Sequence, residues 1–353
     1  MLLASEPYSL PILRPLAACA QARGHSVRWL APEAVAARLH PDETRVLGWR
    51  ELRRWQPHAV FATVHRIPPW LPGLQVQLFH GLNLHKRDPR EGHFRMLGLF
   101  DLYCSHGPAT TGPLQALAEA HRDFSVVQTG WPKLDPVLGG AGRGAATLRA
   151  AAAGRPLVLY ASSLNEPLSQ ARACLPELER LVARGDRYWL LTLHPMSPPA
   201  LVQRYRALAG PHAVFLEAER MADMLHAADV LLCDTSSVVE EFILLDKPVV
   251  TIGHRRPQPC MLAIDVPAQI DAALTQALAW PQALADARRA YARQIHPDTD
   301  GRASGRVLDA VEQRLRGDDH GLRARARRPL RRWWRSWKLL RALLPGARAR
   351  GAG

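Results

Sequence analysis

The chain has 353 residues, and at about 150 residues per domain that length points to two domains. A composition that is 47% hydrophobic and 22% charged supplies buried cores and excludes a disordered or fibrous protein. The net charge of +14 is a local feature: residues 321–353 hold eleven Lys and Arg and no acid, leaving +3 on residues 1–320, so the body is not that of a basic nucleic-acid-binding fold.

Taken in chain order, short apolar runs alternate with helical patterns, the signature of parallel α/β sheets. Met1–Ala4 is a very short first strand, unless the natural start lies upstream. Pro11–Arg23 reads as a helix closed by Gly24. Strands are expected at Ser26–Leu30, Ala59–Thr63, Gln75–Phe79, Leu102–Ser105 and Ser125–Gln128. A second series is expected at Leu157–Ala161, Tyr188–Leu193, Ala213–Leu216, Val230–Cys233 and Pro248–Ile252. Between the two series, Leu138–Pro156 carries Gly139, Gly140, Gly142, Gly144 and Gly154 and reads as a linker. The expected architecture is two Rossmann-like, doubly wound parallel-sheet domains facing a cleft: residues 1–137, a Gly/Ala-rich linker 138–155, residues 156–317, and a basic tail 318–353. A ligand would sit at the carboxyl ends of the strands.

Five separated cysteines with no C-x-x-C pair argue against a disulfide scaffold or structural zinc, and favour a reducing compartment. MLLASEPYSLPIL lacks the basic and long apolar regions of a signal peptide, and no run reaches the ~18 apolar residues of a spanning helix.

Three segments point to chemistry. In VLLCDTSSVVEEFILLDKPVVTI (230–252), a buried strand ends at Cys233, and Asp234, Thr235, Ser236 and Ser237 open a helix carrying Glu240 and Glu241. Hydroxyls and free N–H groups at such a start can bind a diphosphate, though a plain N-cap would look the same. In QVQLFHGLNLHKRD (75–88), an apolar strand delivers His80 and Gly81 to a turn, with His85 and Lys86 beyond. An imidazole there suits general-base work. In YWLLTLHPMS, His194 ends another strand. VVQTGWPKLDPV (126–137) and DTDGRASGRVLDAV (298–311) fit capping and hinge geometry.

Together, HG at 80–81, TGWPKLD at 129–135, LHP at 193–195, D-T-S-S with its following KPV, and DGRASGRV at 300–307 resemble the CDP-glycerol glycerophosphotransferases, over roughly residues 60–311. The resemblance implies a GT-B fold, no metal or other cofactor, and transfer of glycerol phosphate from CDP-glycerol to an acceptor hydroxyl with release of CMP. It makes His80 the base on the acceptor and places His194 near the donor phosphates. Ser236 and Ser237 then bind the pyrophosphate. The chain departs from the family's pattern at Phe79, where Trp is usual, at Lys86, one place late, and at Thr235, where Tyr is common. The UDP-N-acetylglucosamine 2-epimerases share the TG…D, EE and KP features. Their opening phosphate loop and His-Arg-x-Glu-Asn stretch are missing, the chain reading ASSLNEP at 161–167. A GT-B glycosyltransferase using another nucleotide sugar is the other alternative.

The tail reads LRARARRPLRRWWRSWKLLRALL over 322–344. Trp333, Trp334 and Trp337 fall on one helical stripe, with Arg331, Arg335 and Lys338 on the other side. That pattern suits an anionic bilayer surface better than nucleic acid. The expectation is a cytoplasmic enzyme, peripheral on the inner face of the cell membrane, acting on a lipid-linked glycan acceptor of a teichoic-acid-type polymer.

Overall fold

The computed structural model describes residues 1–68, 70–82, 94, 97–140, 143–164 and 168–317. The described residues divide into two compact units, the first formed by those within 1–81, 94–135 and 295–317, the second by Leu82 and those within 136–294.

The first unit runs β1 (Leu2–Leu3), α1 (Leu10–Ala22), β2 (Trp29–Leu30), α2 (Glu33–Ala36), α3 (Trp49–Trp55), β3 (Ala59–Ala62), β4 (Leu74–Gln77), β5 (Leu102–Ser105), α4 (Pro108–His121) and β6 (Ser125–Gln128). Its sheet has the order β2-β1-β3-β4-β5-β6, and the strand pairs are parallel. α1 buries Leu13, Leu16, Ala17 and Ala20, one stripe at helical spacing, against one face of this sheet. The expected strand at Gln75–Phe79 stops two residues early. Phe79 takes a left-handed φ of 60°, which a bulky side chain tolerates only where its surroundings hold it.

The second unit runs α5 (Asp135–Leu138), α6 (Arg143–Ala152), β7 (Leu157–Ser162), α7 (Ala171–Arg184), β8 (Tyr188–Leu193), α8 (Pro199–Arg206), β9 (Ala213–Phe215), α9 (Met221–Ala227), β10 (Val230–Cys233), α10 (Val238–Ile243), β11 (Val249–Ile252), β12 (Leu262–Ile264), α11 (Ile270–Leu278) and α12 (Gln282–Ile295). The sheet order is β12-β11-β10-β7-β8-β9, again parallel. From β7 the chain winds outward to β9, then returns to β10 and winds the other way. β7 and β10 therefore flank a topological switch point. β7, β8 and β10 are buried on both faces, as sandwiched parallel strands must be. Val158 and Tyr160 pack into one core, Leu157, Leu159 and Ala161 into the other.

The sequence-based boundaries change in two places. Residues 143–152 of the expected linker form α6, which buries Ala145, Leu148 and Ala152 in the second core. The alanines and Leu148 favour helix, and Gly144 lies where a Cβ would meet Asp223 Oδ2 at 2.0 Å. At the other end, α13 (Ala303–Leu315) places Val307, Leu308, Ala310 and Val311 in the same core as α1. Residues 303–315 therefore complete the first unit, although the sequence reading placed them in the second domain. Among the described residues, no helix is long and apolar enough to cross a membrane.

Candidate active site

In the first unit the candidate residues gather at the carboxyl end of the sheet. The chain passes from β1 to β2 on one side and to β3 on the other, so the loops after β1 and β3 meet at the switch point. Ser9 and Thr63 share a hydrogen bond there at 2.8 Å. His80, exposed just past β4, directs Nδ1 at the carbonyl oxygen of Thr63 at 3.3 Å. A carbonyl only accepts, so Nδ1 carries a proton, and in the neutral ring Nε2 is then the basic nitrogen. That is the tautomer a general base needs. The His80 ring lies 5.5 Å from Tyr8 and 5.9 Å, edge to face, from His65.

The turn bearing His80 is tied from beneath. The buried Gln77 amide donates to Val64 O at 3.0 Å and its carbonyl accepts Phe79 N–H at 3.0 Å. The loops after β3 and β4 are thus joined on either side of the imidazole. Buried His106 donates through Nε2 to Leu78 O at 3.2 Å, and its ring packs edge-on against Phe79 at 5.6 Å. Gly81 follows with open space where a Cβ would stand. His85 and Lys86 lie outside the described residues. Sequence reasoning missed Gln77, His65, Tyr8 and His106, because the ties between them join separate strands and no local spacing announces them.

In the second unit the carboxyl ends of β7 and β10 carry the Asp234–Ser237 turn. Asp234 is buried at 1% exposure. Its carboxylate accepts Ser162 Oγ–H, Ser163 N–H at 2.9 Å and Gln170 N–H at 3.1 Å. Burial raises this carboxyl above its ordinary value, while the hydrogen bonds from Ser162, Ser163 and Gln170 pull it back. Thr235 is equally buried, its Oγ1 accepting Arg255 N–H at 3.1 Å. Both side chains thereby fix neighbouring loops. Ser236 and Ser237 are half-buried, and the Ser237 hydroxyl makes no cap to α10. Glu240 and Glu241 are buried in that six-residue helix. Lys247, of the KPV segment, donates from Nζ to the carbonyls of Leu225, His226 and Ala228 at 2.7–2.8 Å, closing the C-terminus of α9.

His194 stands exposed after β8, and its Nδ1 accepts Met196 N–H at 3.1 Å. The proton of the neutral ring is therefore on Nε2, opposite to His80. One imidazole offers an acceptor and the other a donor. Among the described residues, no group of three or more His, Cys, Asp or Glu is placed to hold a metal ion.

The TGWP and DGRASGRV segments meet within the first unit. Gly130 has φ +77°, and a Cβ there would meet His296 Nε2 at 2.8 Å. That nitrogen accepts Trp131 N–H at 2.9 Å. Asp135 accepts the Ala303 and Ser304 N–H groups at 2.7 and 2.8 Å, capping α13. Arg306 reaches the Thr129 carbonyl at 2.8 Å.

Two parallel six-stranded sheets of this order define a GT-B type fold. Residues 115–253 match the sequence model of the CDP-glycerol:poly(glycerophosphate) glycerophosphotransferases, a span that holds the TGWPKLD, LHP and D-T-S-S motifs but not HG at 80–81 or DGRASGRV at 300–307. No curated protein matches the chain. Among solved structures, the wall teichoic acid polymerase TagF aligns at a TM-score of 0.65 and 13% identity, covering 90% of this chain and 89% of that one. S. aureus MnaA in complex with UDP aligns at 0.63 and 13%, covering 90% and 96%. A UDP-N-acetylglucosamine 2-epimerase aligns at 0.58 and 15%, covering 89% and 95%. At such identities these likenesses establish the fold alone. The family match, with that fold, supports a glycerophosphotransferase-type GT-B enzyme.

Proposed function

We propose that the protein transfers glycerol phosphate from CDP-glycerol to a hydroxyl of a lipid-linked surface-polymer acceptor. The observation that carries this reading is the family match over residues 115–253, a span that contains His194 and the Asp234–Ser237 turn. TagF has also been solved with a histidine replaced and CDPG soaked in, which fits a role for histidine beside such a donor.

In this reading the acceptor O–H gives its proton to His80 Nε2 while its oxygen bonds to the β-phosphorus of the donor. The bond from that phosphorus to the bridging oxygen breaks, and CMP leaves with the electron pair. His194 Nε2–H would donate to a donor phosphate oxygen. Ser236 and Ser237 would contact the pyrophosphate, and Asp234 and Thr235 would hold those serines in place. Gly81, His85 and Lys86 would contact a phosphate or the acceptor, and Glu240 and Glu241 would belong to the donor nucleotide site. Positioning and charge stabilisation supply the rate. No step calls for a metal.

The basic tail, with Trp333, Trp334, Trp337, Arg331, Arg335 and Lys338, lies outside the described residues. In the proposal it holds the enzyme on the inner face of the cell membrane. Deleting residues 321–353 should then move the protein to the soluble fraction.

The test of function is CMP release from CDP-glycerol with and without membranes, comparing wild type with His80→Ala. Acceptor-dependent release that vanishes in the variant supports both the reaction and the base. Release that persists undiminished would remove His80 from the mechanism, and no release at all, with turnover of a UDP-linked sugar instead, would move the protein to another GT-B activity.

A further inference from the structure

Helix α3 and the residues leading into it present a surface that is exposed among the described residues. Residues 44–46 run parallel to the edge strand β2: Trp29 N–H donates to Thr44 O at 2.9 Å and Val46 N–H to Trp29 O at 2.8 Å. Leu47, Gly48 and Trp49 therefore emerge at the carboxyl end of the sheet, the end at which β4 delivers His80. Residues 44–46 lie one position outside β2, so four strand spacings separate them from β4, roughly 19 Å. The inward side of α3 is settled, with Leu52 buried and Trp55 packed against the core under Arg28.

The outward side is apolar and cationic. Leu47 is 63% exposed and Trp49 36%, while Arg50, Arg53 and Arg54 are all exposed. The Arg53 guanidinium lies 6.0 Å from the Trp49 ring centroid. The acid among residues 45–58 is Glu51, whose carboxylate is taken up by Arg28 and by Leu47 N–H. An indole and a leucine beside three cations, with no free carboxylate among them, match the headgroup layer of an anionic bilayer. RNA would reward the arginines but not the exposed leucine.

We propose that Leu47, Trp49, Arg50, Arg53 and Arg54 form a second membrane contact, on a folded unit, that rests on an anionic lipid surface. This deepens the reading of a lipid-linked acceptor and rests on it. A contact at this end of the sheet would keep the candidate base facing an acceptor that cannot leave the bilayer.

The test uses the full chain and flotation with phosphatidylcholine vesicles, with and without phosphatidylglycerol. A Trp333→Ser, Trp334→Ser, Trp337→Ser background separates this surface from the tail. In that background Arg50→Glu, Arg53→Glu and Arg54→Glu together should weaken partitioning to the anionic vesicles by roughly tenfold or more. Leu47→Ser with Trp49→Ser should weaken it too, while the thermal unfolding midpoint stays near that of the parent. Partitioning that is unchanged in both variants overturns the proposal, as does capture of an RNA oligonucleotide through these arginines with no change in vesicle binding. Because the vesicle measurement needs no turnover, arginine-dependent flotation in the tail-variant background together with no CMP release by the wild type would sink the transferase reading and leave the surface standing.

Discussion

His80 donates its Nδ1–H to the carbonyl oxygen of Thr63 across 3.3 Å, and the loops bearing the two residues are bound together by Gln77. Gln77 thus holds the turn that carries the candidate base. Replacing Gln77 by Leu keeps the volume but leaves Phe79 N–H and Val64 C=O without their partner. Each buried loss costs about 1–3 kcal/mol. In the proposed transfer, with the turn loosened, kcat for CMP release should fall by about tenfold, while KM for CDP-glycerol, which that proposal assigns to the second unit, should stay within about twofold. Steady-state kinetics on the purified variant separates the two, and a change confined to KM would refute the positioning role.

Asp234, a candidate donor-site residue in the sequence, is in the structure a buried acceptor of three hydrogen bonds from neighbouring loops. As a ligand group it would be replaceable with loss of affinity alone. As a buried tie accepting from Ser162, Ser163 and Gln170, it holds the loops after β7 and β10 in register. Asp234→Asn puts an N–H₂ against at least one of those donors. The loss should be about 2–3 kcal/mol in denaturant unfolding, even with no nucleotide present. An unfolding midpoint equal to wild type would return Asp234 to the ligand side.

Much of the fold was legible because parallel strands buried on both faces are near-continuous apolar runs. Val230–Cys233 and Tyr188–Leu193 fall where those runs lie. β12 went unseen because it has three residues and one of them is exposed, too few for any period to show. The glycines around α6 masked an alanine-rich helix. The return of α13 to the first unit depends on pairings such as Arg23 with Asp309, 286 residues apart, which no local pattern contains. The same holds at the candidate site. His80 and the serines of the Asp234–Ser237 turn could be picked out as strand-end motifs. The ties that orient them, from Gln77 and from Ser162 72 residues before Asp234, follow only from the order of strands in the sheets.

Asp135 reads in the sequence as the end of TGWPKLD and acts in the fold as the cap of α13. Its two oxygens each accept a backbone N–H from the first turn, where four such donors lack helical partners. Asp135→Ala should cost about 1–2 kcal/mol of stability. Hydrogen exchange should rise first in residues 303–311, before global unfolding. Uniform loss of protection across the chain would contradict a local cap.

His296 links stability to pH. It is 1% exposed, and its Nε2 can accept Trp131 N–H only while the ring is neutral. Burial pushes its pKa down from 6.5 to about 4, with Asp298 opposing and Arg306 assisting. In the unfolded chain the ring takes a proton near pH 6.5, whereas in the folded protein it does so only near pH 4. Between those values the unfolded state binds more protons, so stability falls as the pH is lowered from 6.5 to 4. The full effect is about 3 kcal/mol. Other carboxylates also destabilise the fold in acid, so the informative quantity is a difference. His296→Gln keeps an acceptor for Trp131 N–H but cannot titrate. It should be less stable than wild type at pH 7, and the gap should close as the pH approaches 4.5. Denaturant unfolding of both proteins at several pH values measures it, and a gap that stays constant would mean His296 is not the group that titrates.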